Sequence, residues 1–291
     1  MKRLLLLTLG LTMICGAKAQ EEKLEIKPSG RILLDGGLFK ADGQDDKFND
    51  GFAIPDMRVG FSASYGAWKA KVDMGYAYGK VNMKDVFVQY NFDKEAADFL
   101  RAGYFIHQFG LQSATSSSFK ISMEEPASNQ AFNNSRMIGL MYQHTRSKFL
   151  GTLSFFTESD AMKMTSDKLG NQGVGMMTRL VYKPFCEPGK IFHVGLSGAF
   201  ETPRYSSDKE LSHHSYTLST TFPTRIAKVV AQEAVIDDAK MLYKFTPELT
   251  AAIGRVGLET QYFYVNVNRK DKPCYKASGA YGTIRALVKG K

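Results

Sequence analysis

After its first 19 residues, the sequence has no long hydrophobic run, and it contains few cysteines. A helix that crosses a bilayer needs about 20 consecutive apolar residues, and no later segment approaches that length. The chain has 3 cysteines among 291 residues, too few for a disulfide-stabilised scaffold. These two absences argue against a helical membrane protein and against a disulfide-rich secreted domain.

Motifs for catalysis or metal binding are also missing. The segment "GLSGAF" (195–200) lacks the glycine spacing of a nucleophile elbow. His213 and His214 are adjacent, so in a strand their side chains point to opposite faces and do not suit a shared metal ion. We therefore expect no enzyme activity, no metal site and no cofactor.

Residues 1–19 have the pattern of a secretory signal peptide. Two basic residues precede an apolar run that ends at Ile14, and the triplet "AKA" (17–19) provides a cleavage site. Cys15 would suit lipidation, but Ile14 occupies the position where a lipidation signal requires a small residue. We expect residues 20–291 to form one exported domain.

The mature chain is basic. The signal segment holds three basic residues and no acidic one, so removing it lowers the net charge from +9 to +6. A basic balance suits nucleic acid, an acidic surface or an anion path. Export argues against nucleic acid, and the cations are scattered rather than clustered, so an anion path fits better.

The positive pattern in the sequence is alternation with a period of two. In the segment 68–78, one face carries Trp68, Ala70, Val72, Met74, Tyr76 and Tyr78, and the other carries Lys69, Lys71, Asp73, Gly75 and Ala77. The apolar face begins and ends in aromatic residues, as in barrel strands that face lipid on one side and water on the other. We expect these aromatic residues to contact outer-membrane lipid at the two interfaces.

The pattern recurs often enough to predict an all-β fold, an antiparallel transmembrane β-barrel, with about 14 strands in the sequence. The predicted strands are 31–40, 52–64, 68–78, 83–92, 99–108, 136–143, 149–157, 173–182, 191–201, 212–222, 225–235, 242–252, 256–267 and 277–288. Connectors alternate between short turns on one side and longer loops on the other. The predicted short turns are 65–67, 93–98, 144–148, 183–190 and 223–224.

The longest predicted connector is 109–135, and a loop of this length without its own secondary structure is usually functional or disordered. Two readings are open. The loop folds inward and narrows a channel, or it lies on the surface without fixed structure.

Several segments resemble the phosphate-selective porin O and P family over nearly the whole mature chain. They are "GRILLDGGLF" (30–39), "FAIPDMRVGFSASYGAWKAKVDMGYA" (52–77), "KDVFVQYNF" (84–92), "LRAGYFIHQFGLQSATSSSF" (100–119), "MEEP" (123–126), "RVGLETQYFYVNVNR" (255–269) and "SGAYGTIRALVKGK" (278–291). The resemblance implies a 16-stranded, trimeric porin in the outer membrane of a Gram-negative bacterium. It also implies an anion path, used for phosphate in some members, with basic residues along the lumen and at the inward loop.

The chain departs from the family pattern in two places. In "MEEP", Glu124 and Glu125 stand where an arginine often follows the glutamate, which argues against phosphate. The sequence ends in "ALVKGK" rather than in a strand with a terminal aromatic residue. We therefore expect the chain to lack its C-terminal strands.

Cations on the predicted lumen face are the candidates for an anion path. Placing a charge on the lipid face at mid-membrane costs about 2–4 kcal/mol, so each of them is expected to face inward. Lys120 is added because it lies in the inward loop. The candidates are Arg58, Lys69, Lys71, Arg101, Lys120, Arg179 and Arg285.

Two functions remain open at this stage. The first is a porin for passive diffusion of small anions, with phosphate and polyphosphate as candidates, through a basic lumen narrowed by the loop 109–135. The second is a structural or adhesion barrel that transports nothing. A structural barrel needs neither a basic lumen nor an inward loop, and this difference separates the two.

Overall fold

The computed structural model describes residues 23–40, 42–43, 47–95, 97–116, 119–120, 122–162, 165–204 and 214–288. The predicted signal peptide, 1–19, and His213 lie outside these residues.

The described residues form fourteen strands, as predicted. They are β1 Glu25–Gly37, β2 Gly51–Tyr65, β3 Trp68–Ala77, β4 Lys80–Asn91, β5 Phe99–Phe105, β6 Met137–Arg146, β7 Phe149–Thr157, β8 Val174–Glu187, β9 Lys190–Glu201, β10 Tyr216–Thr221, β11 Val230–Ile236, β12 Ala239–Ile253, β13 Val256–Arg269 and β14 Tyr275–Ala286. Three short helices are α1 Gly110–Ala114, α2 Ala127–Phe132 and α3 Ser166–Leu169. The largest errors of prediction are at β1, which begins six residues earlier, at β8, which ends five residues later, and at β11, which begins five residues later.

Twelve of these strands form one antiparallel sheet, which we call the wall. Its order is β1 to β9 and then β12 to β14, so β1 and β14 are the two edges of the sheet. The wall is open, since none of the described residues pairs β1 with β14. The all-β antiparallel architecture is confirmed.

The strands β10 and β11 do not belong to the wall, and their prediction as wall strands was wrong. They pair only with each other among the described strands, while β9 pairs directly with β12, for example Glu201 with Leu242. The hairpin is therefore an excursion that leaves the wall after β9 and returns at β12. Its strands alternate like wall strands, and this is why the sequence pattern did not distinguish them.

Connectors alternate between the two ends of the wall because successive strands run in opposite directions. One end, called the turn end, has the short connectors 66–67, 92–98, 147–148, 188–189 and 254–255. The other, called the loop end, has 38–50, 78–79, 106–136, 158–173, 202–238 and 270–274. The segment 223–224 lies within a loop-end connector, so its prediction as a short turn on the opposite side was wrong.

The outer face of the wall is apolar and carries aromatic side chains near both ends. Trp68 lies 5.0 Å from Tyr90, and Tyr90 lies 5.3 Å from Phe92, measured between ring centroids at the turn end. Phe200 and Tyr243, nearer the loop end, lie 5.6 Å apart. These positions match the interfacial aromatic belts expected of a barrel wall. Among the described residues, no helix has the length and apolar character needed to cross a membrane.

Tyr78 differs from the other predicted outward aromatics. It lies beyond the end of β3 in a two-residue turn with Gly79, and both residues have positive φ, 50° and 78°. This is the backbone pattern of a type I′ hairpin. Because the alternation of inward and outward side chains stops at this turn, Tyr78 is not held on the outer face. Its ring faces a cleft on the inner side of the wall rather than lipid.

The loop 106–136 folds into the interior, so the inward reading of the predicted loop is the one observed. Phe132 stacks on Phe263 of β13, with ring centroids 5.7 Å apart and planes inclined by 11°. Phe109 packs on the same ring at 6.3 Å. Phe263 is 0% exposed, so these contacts form the centre of a buried core between the loop and the inner face of β13. The rest of that core comes from Met137, Phe156, Met177, Ala199, Ile236, Ala239, Leu242, Val265 and Val267.

Candidate anion-binding cleft

The loop leaves a polar space, called the cleft, against the inner face of β2 to β5. Its volume is about 520 Å³. Loop residues from Ile106 to Arg136 form one side, and the connection between β10 and β11 contributes a further side. Side chains from three separate parts of the chain therefore line this space.

The cleft is strongly basic. Within the described part of the chain, eight cations and four carboxylates line it. The cations are Arg58, Lys71, Lys84, Arg101, Lys120, Arg136, Arg225 and Lys228. The carboxylates are Asp56, Asp85, Glu124 and Glu125. A narrow space with this imbalance, bounded by protein of low dielectric constant, concentrates anions.

Most of the cations in the cleft have a carboxylate partner. Arg58 Nε lies 2.9 Å from Asp56 Oδ1, and Arg136 Nε lies 2.7 Å from Asp85 Oδ1. The remaining pairs are Lys71 with Asp73 and Asp85, Lys120 with Glu125, and Arg225 with Glu124. These pairs fix the geometry of the cleft but contribute little uncompensated charge.

Three cations of the cleft have no carboxylate within 4.0 Å among the described residues: Lys84, Arg101 and Lys228. They therefore supply most of its uncompensated positive charge. They lie on β4, on β5 and in the connection between β10 and β11, so the charge is contributed from both sides of the cleft.

Arg101 is held in place by aromatic rings and by an amide. Its guanidinium carbon lies 4.2 Å from the centroid of the Phe87 ring, 4.8 Å from that of Phe99 and 5.4 Å from that of Phe105. Nε and Nη2 both donate to Gln89 Oε1, at 3.0 and 2.7 Å. Gln89 in turn donates from Nε2 to Asn91 Oδ1 at 2.6 Å, which fixes the orientation of the amide. The guanidinium is thus immobilised without being neutralised by a carboxylate.

Of the seven predicted residues, the structure brings four together in the cleft: Arg58, Lys71, Arg101 and Lys120. The other three, Lys69, Arg179 and Arg285, do not line it. Lys69 is on the same inner face of β3 as Lys71 but nearer the turn end. Their individual roles in selectivity stay predictions.

Arg179 is buried in a separate polar cluster under the loop. Its Nη2 donates to Glu248 Oε1 at 2.6 Å and its Nε to Oε2 at 3.2 Å. Nη1 donates to Gln108 Oε1 of the loop at 3.0 Å. His193 Nε2 lies 2.5 Å from the same Glu248 carboxylate. Arg179 therefore anchors the start of the loop to the wall.

Arg285 lies near the end of β14, where its Nη2 is 3.6 Å from Glu259 Oε2. Its side chain is 43% exposed, so this contact is a surface ion pair and contributes little to stability. The cation is separated from the cleft, whose lining does not include β14.

Four cations of the cleft were missed by the sequence analysis: Lys84, Arg136, Arg225 and Lys228. Lys84 and its neighbour Asp85 both line the cleft because the β3–β4 register shifts between Val72 and Met74, and the shift breaks simple alternation. Arg225 and Lys228 were assigned to a wall strand but lie between β10 and β11. Arg136 precedes β6, where strand alternation does not constrain its direction.

Lys244 anchors the other end of the inward loop. Its ammonium donates to the backbone oxygen of Phe132 at 2.9 Å and to Asn134 Oδ1 at 2.8 Å, and it lies 3.0 Å from Glu201 Oε1. Three oxygen partners use all the hydrogen-bonding capacity of an ammonium group. Lys244 is 5% exposed, so it acts as a structural cation and not as part of the cleft.

Gly110 lets the first turn of the loop approach the wall closely. Its φ is +79°, and an added Cβ would meet Gln261 Nε2 unless that side chain moved. Its backbone N–H donates to Ser197 Oγ at 3.0 Å. The positive φ strains any other residue, so glycine is favoured at this position.

Among the described residues, no group of three or more His, Cys, Asp and Glu side chains is arranged to hold a metal ion.

The family described as phosphate-selective porin O and P matches residues 26–290 of the chain. None of the curated proteins matches.

Solved structures similar to this chain include OmpT, an outer membrane protein of Vibrio cholerae, in an in-vitro folded form. It has a TM-score of 0.50 and 10% identity, and the alignment covers 94% of this chain and 74% of that one. A trimer form of the same protein has a TM-score of 0.42 and 8% identity, covering 92% and 85%. The outer membrane channel DcaP of Acinetobacter baumannii has a TM-score of 0.33 and 10% identity, covering 92% and 98%. At this level of identity, the first similarity supports the fold alone.

Proposed function

Since the chain belongs to the phosphate-selective porin O and P family, we propose that it conducts small inorganic anions passively through the cleft, with phosphate as a candidate. The protein is a porin, and it lies in the outer membrane of a Gram-negative bacterium. A diffusion path needs no catalytic group and no cofactor, so we propose no enzyme activity.

The observation that carries this proposal is the uncompensated charge of the cleft. An anion that enters a narrow space loses part of its hydration, and nearby N–H donors replace the lost water. Lys84, Arg101 and Lys228 provide such donors without a competing carboxylate within 4.0 Å among the described residues. A cation that enters meets the same charges as a barrier.

Arg101 is the strongest single candidate for contact with the anion. Its Nε and Nη2 are occupied by Gln89, whereas Nη1 makes no hydrogen bond to the described residues. The three phenyl rings hold the planar group in one orientation, so little side-chain entropy is lost when an anion binds. Guanidinium groups also match the geometry of phosphate oxygens.

The two glutamates that argued against phosphate have compensating partners in the structure. Glu125 pairs with Lys120 and also accepts a hydrogen bond from Asn129. Glu124 Oε1 lies 3.5 Å from Arg225 Nε. These pairs reduce the repulsion that free carboxylates would exert, which supports an anion path in spite of the "MEEP" sequence.

The test is the reversal potential of the purified protein in a planar bilayer under a tenfold KCl gradient, followed by titration with phosphate. We expect anion selectivity and a phosphate-dependent reduction of the chloride current. Replacing Arg101 with methionine should lower the anion-to-cation permeability ratio about fivefold, because a unit charge about 4 Å from the path contributes roughly 1 kcal/mol even in water.

The matched control is Lys69→Met, which removes a cation from the inner face outside the cleft. We expect a smaller change in the permeability ratio for this variant. Cation selectivity of the unmodified protein would contradict the proposal, and so would a larger effect of Lys69→Met than of Arg101→Met.

The alternative function, a structural or adhesion barrel without transport, is less well supported. The inward loop and the basic cleft have no purpose in such a protein. Assembly as a homotrimer, which the family resemblance implies, stays a prediction that native mass spectrometry in detergent can test.

A further inference from the structure

The connection between β10 and β11, residues 222–229, extends from the β9–β12 side of the wall to the β3–β4 turn. We call it the tip. The last residue of β10, Thr221, is attached to α2. Gln130 Oε1 of α2 accepts hydrogen bonds from the backbone N–H of Thr221 at 2.9 Å and from its hydroxyl at 3.0 Å. The tip thereby carries Arg225 and Lys228 into the lining of the cleft.

Among the described residues, the tip contacts the side of the cleft that it reaches through a few side chains, one of which is Ile226, close to Gly37. Phe222 meets Phe48 edge to face, with ring centroids 5.1 Å apart, and Arg225 meets Glu124 at 3.5 Å. A two-stranded hairpin is only marginally stable alone. The position of its two cations therefore depends on a small number of tertiary contacts.

Tyr78 makes two of these contacts. Its hydroxyl donates to the backbone oxygen of Arg225 at 2.8 Å. The ammonium of Lys228 lies 4.4 Å from the centroid of its ring. Through these two contacts, the Tyr78 side chain holds both charged residues of the tip. Tyr78 lies outside the membrane-spanning strands.

The environment keeps the Tyr78 hydroxyl in its donor form. Partial desolvation of the hydroxyl, with a further contribution from the Glu124 and Asp35 carboxylates, raises the pKa of Tyr78 to about 12. The phenol therefore remains protonated throughout the neutral pH range, and its hydrogen bond to Arg225 is present there.

We propose that Tyr78 is a positioning residue for ion selectivity, which fixes Arg225 and Lys228 of the tip in the cleft. The inference rests on the proposed function, because it assigns the charge of the tip to the anion path. Tyr78 itself is not assigned a contact with the anion.

Selectivity measurements test the proposal through two variants. Tyr78→Leu removes the hydroxyl and the ring, and we expect it to lower the anion-to-cation permeability ratio about threefold, in keeping with the modest energy of an exposed cation–π contact. Tyr78→Phe keeps the ring and should retain part of the ratio. Tyr76→Leu, two residues earlier on the lipid face, is the matched control and should leave the ratio unchanged.

A double-variant experiment separates positioning from general damage. In a protein whose tip carries Arg225→Met and Lys228→Met, the tyrosine has no charge left to position. Adding Tyr78→Leu to that protein should then change the permeability ratio no further. An equal threefold loss in this background would show that Tyr78 acts elsewhere and would overturn the proposal.

A second measurement does not depend on channel activity. Trypsin cleaves after Arg225 and Lys228 when the tip leaves its position, since proteolysis reports local opening. In the detergent-folded protein, Tyr78→Leu should speed cleavage at these two residues at least severalfold, with the rate at Lys148 in the β6–β7 turn unchanged. Unaltered cleavage at the tip would overturn the proposal, whereas cation selectivity of the unmodified protein would contradict the proposed function instead.

Discussion

Replacing Lys244 with methionine is expected to destabilise the protein by about 3 kcal/mol, because it removes a buried ammonium and leaves the partly buried Glu201 carboxylate without its cation. The ammonium also holds the Phe132 backbone oxygen and Asn134. Methionine keeps much of the side-chain volume, so the effect reports lost charge and hydrogen bonds rather than a cavity. Urea unfolding in lipid vesicles measures the change.

The same variant should alter conduction, since Lys244 fixes the end of the loop 106–136 that bounds the cleft. We expect a larger and noisier single-channel current. Lys240→Met on the same strand is the control, because Lys240 is exposed. Unfolding of the Lys244 variant at the same urea concentration as the unmodified protein would contradict the anchoring role.

The second large effect is expected for Glu248→Gln. The glutamate side chain is 0% exposed and that of Arg179 is 5% exposed, so the variant leaves a buried guanidinium without its counter-charge. Loss of one partner of a buried pair costs about 3–5 kcal/mol. The loop should loosen as well, because Arg179 also donates to Gln108.

A double variant makes this prediction specific. Replacing Arg179 with methionine in the Glu248→Gln protein should restore a substantial part of the lost stability, since removing both charges of a buried pair is often nearly neutral. Glu187→Gln, at the exposed end of β8, is the control and should have little effect. If the double variant is less stable than Glu248→Gln by the full cost of Arg179→Met alone, the two residues are not coupled.

Strand alternation allowed the wall to be predicted from sequence. In β2 and β3 each inward cation, such as Arg58 or Lys71, is followed by an outward apolar residue, because lipid and water impose opposite requirements on the two faces. The same rule placed Arg101 correctly on the inner face. The alternation rule failed for β10 and β11. A hairpin with one face on α2 and the other in solvent alternates in the same way as a wall strand.

Of the eight cations that line the cleft among the described residues, four were predicted from the sequence. Strand alternation applies to wall residues, but Arg136, Arg225 and Lys228 lie in connectors whose direction depends on tertiary contacts. Lys84 lies in β4 where the register with β3 shifts, so alternation did not place it. The inward loop could have been favoured more strongly from Phe109 and Phe132, whose rings need a core to bury them. No sequence rule, however, identified Phe263 as the partner of both rings.

One half of the inner surface is a packed apolar core, and the other half is polar. This difference determines where the protein tolerates new mutations. Around β7 to β9, β12 and β13, the interior is packed with apolar side chains against the loop, so most exchanges there disturb a core. The inner faces of β1 to β3 contribute no residue to that buried apolar core. New charges can therefore arise on β1 to β3 without disturbing that apolar core, and one barrel scaffold can acquire different solute preferences while its packed half remains unchanged.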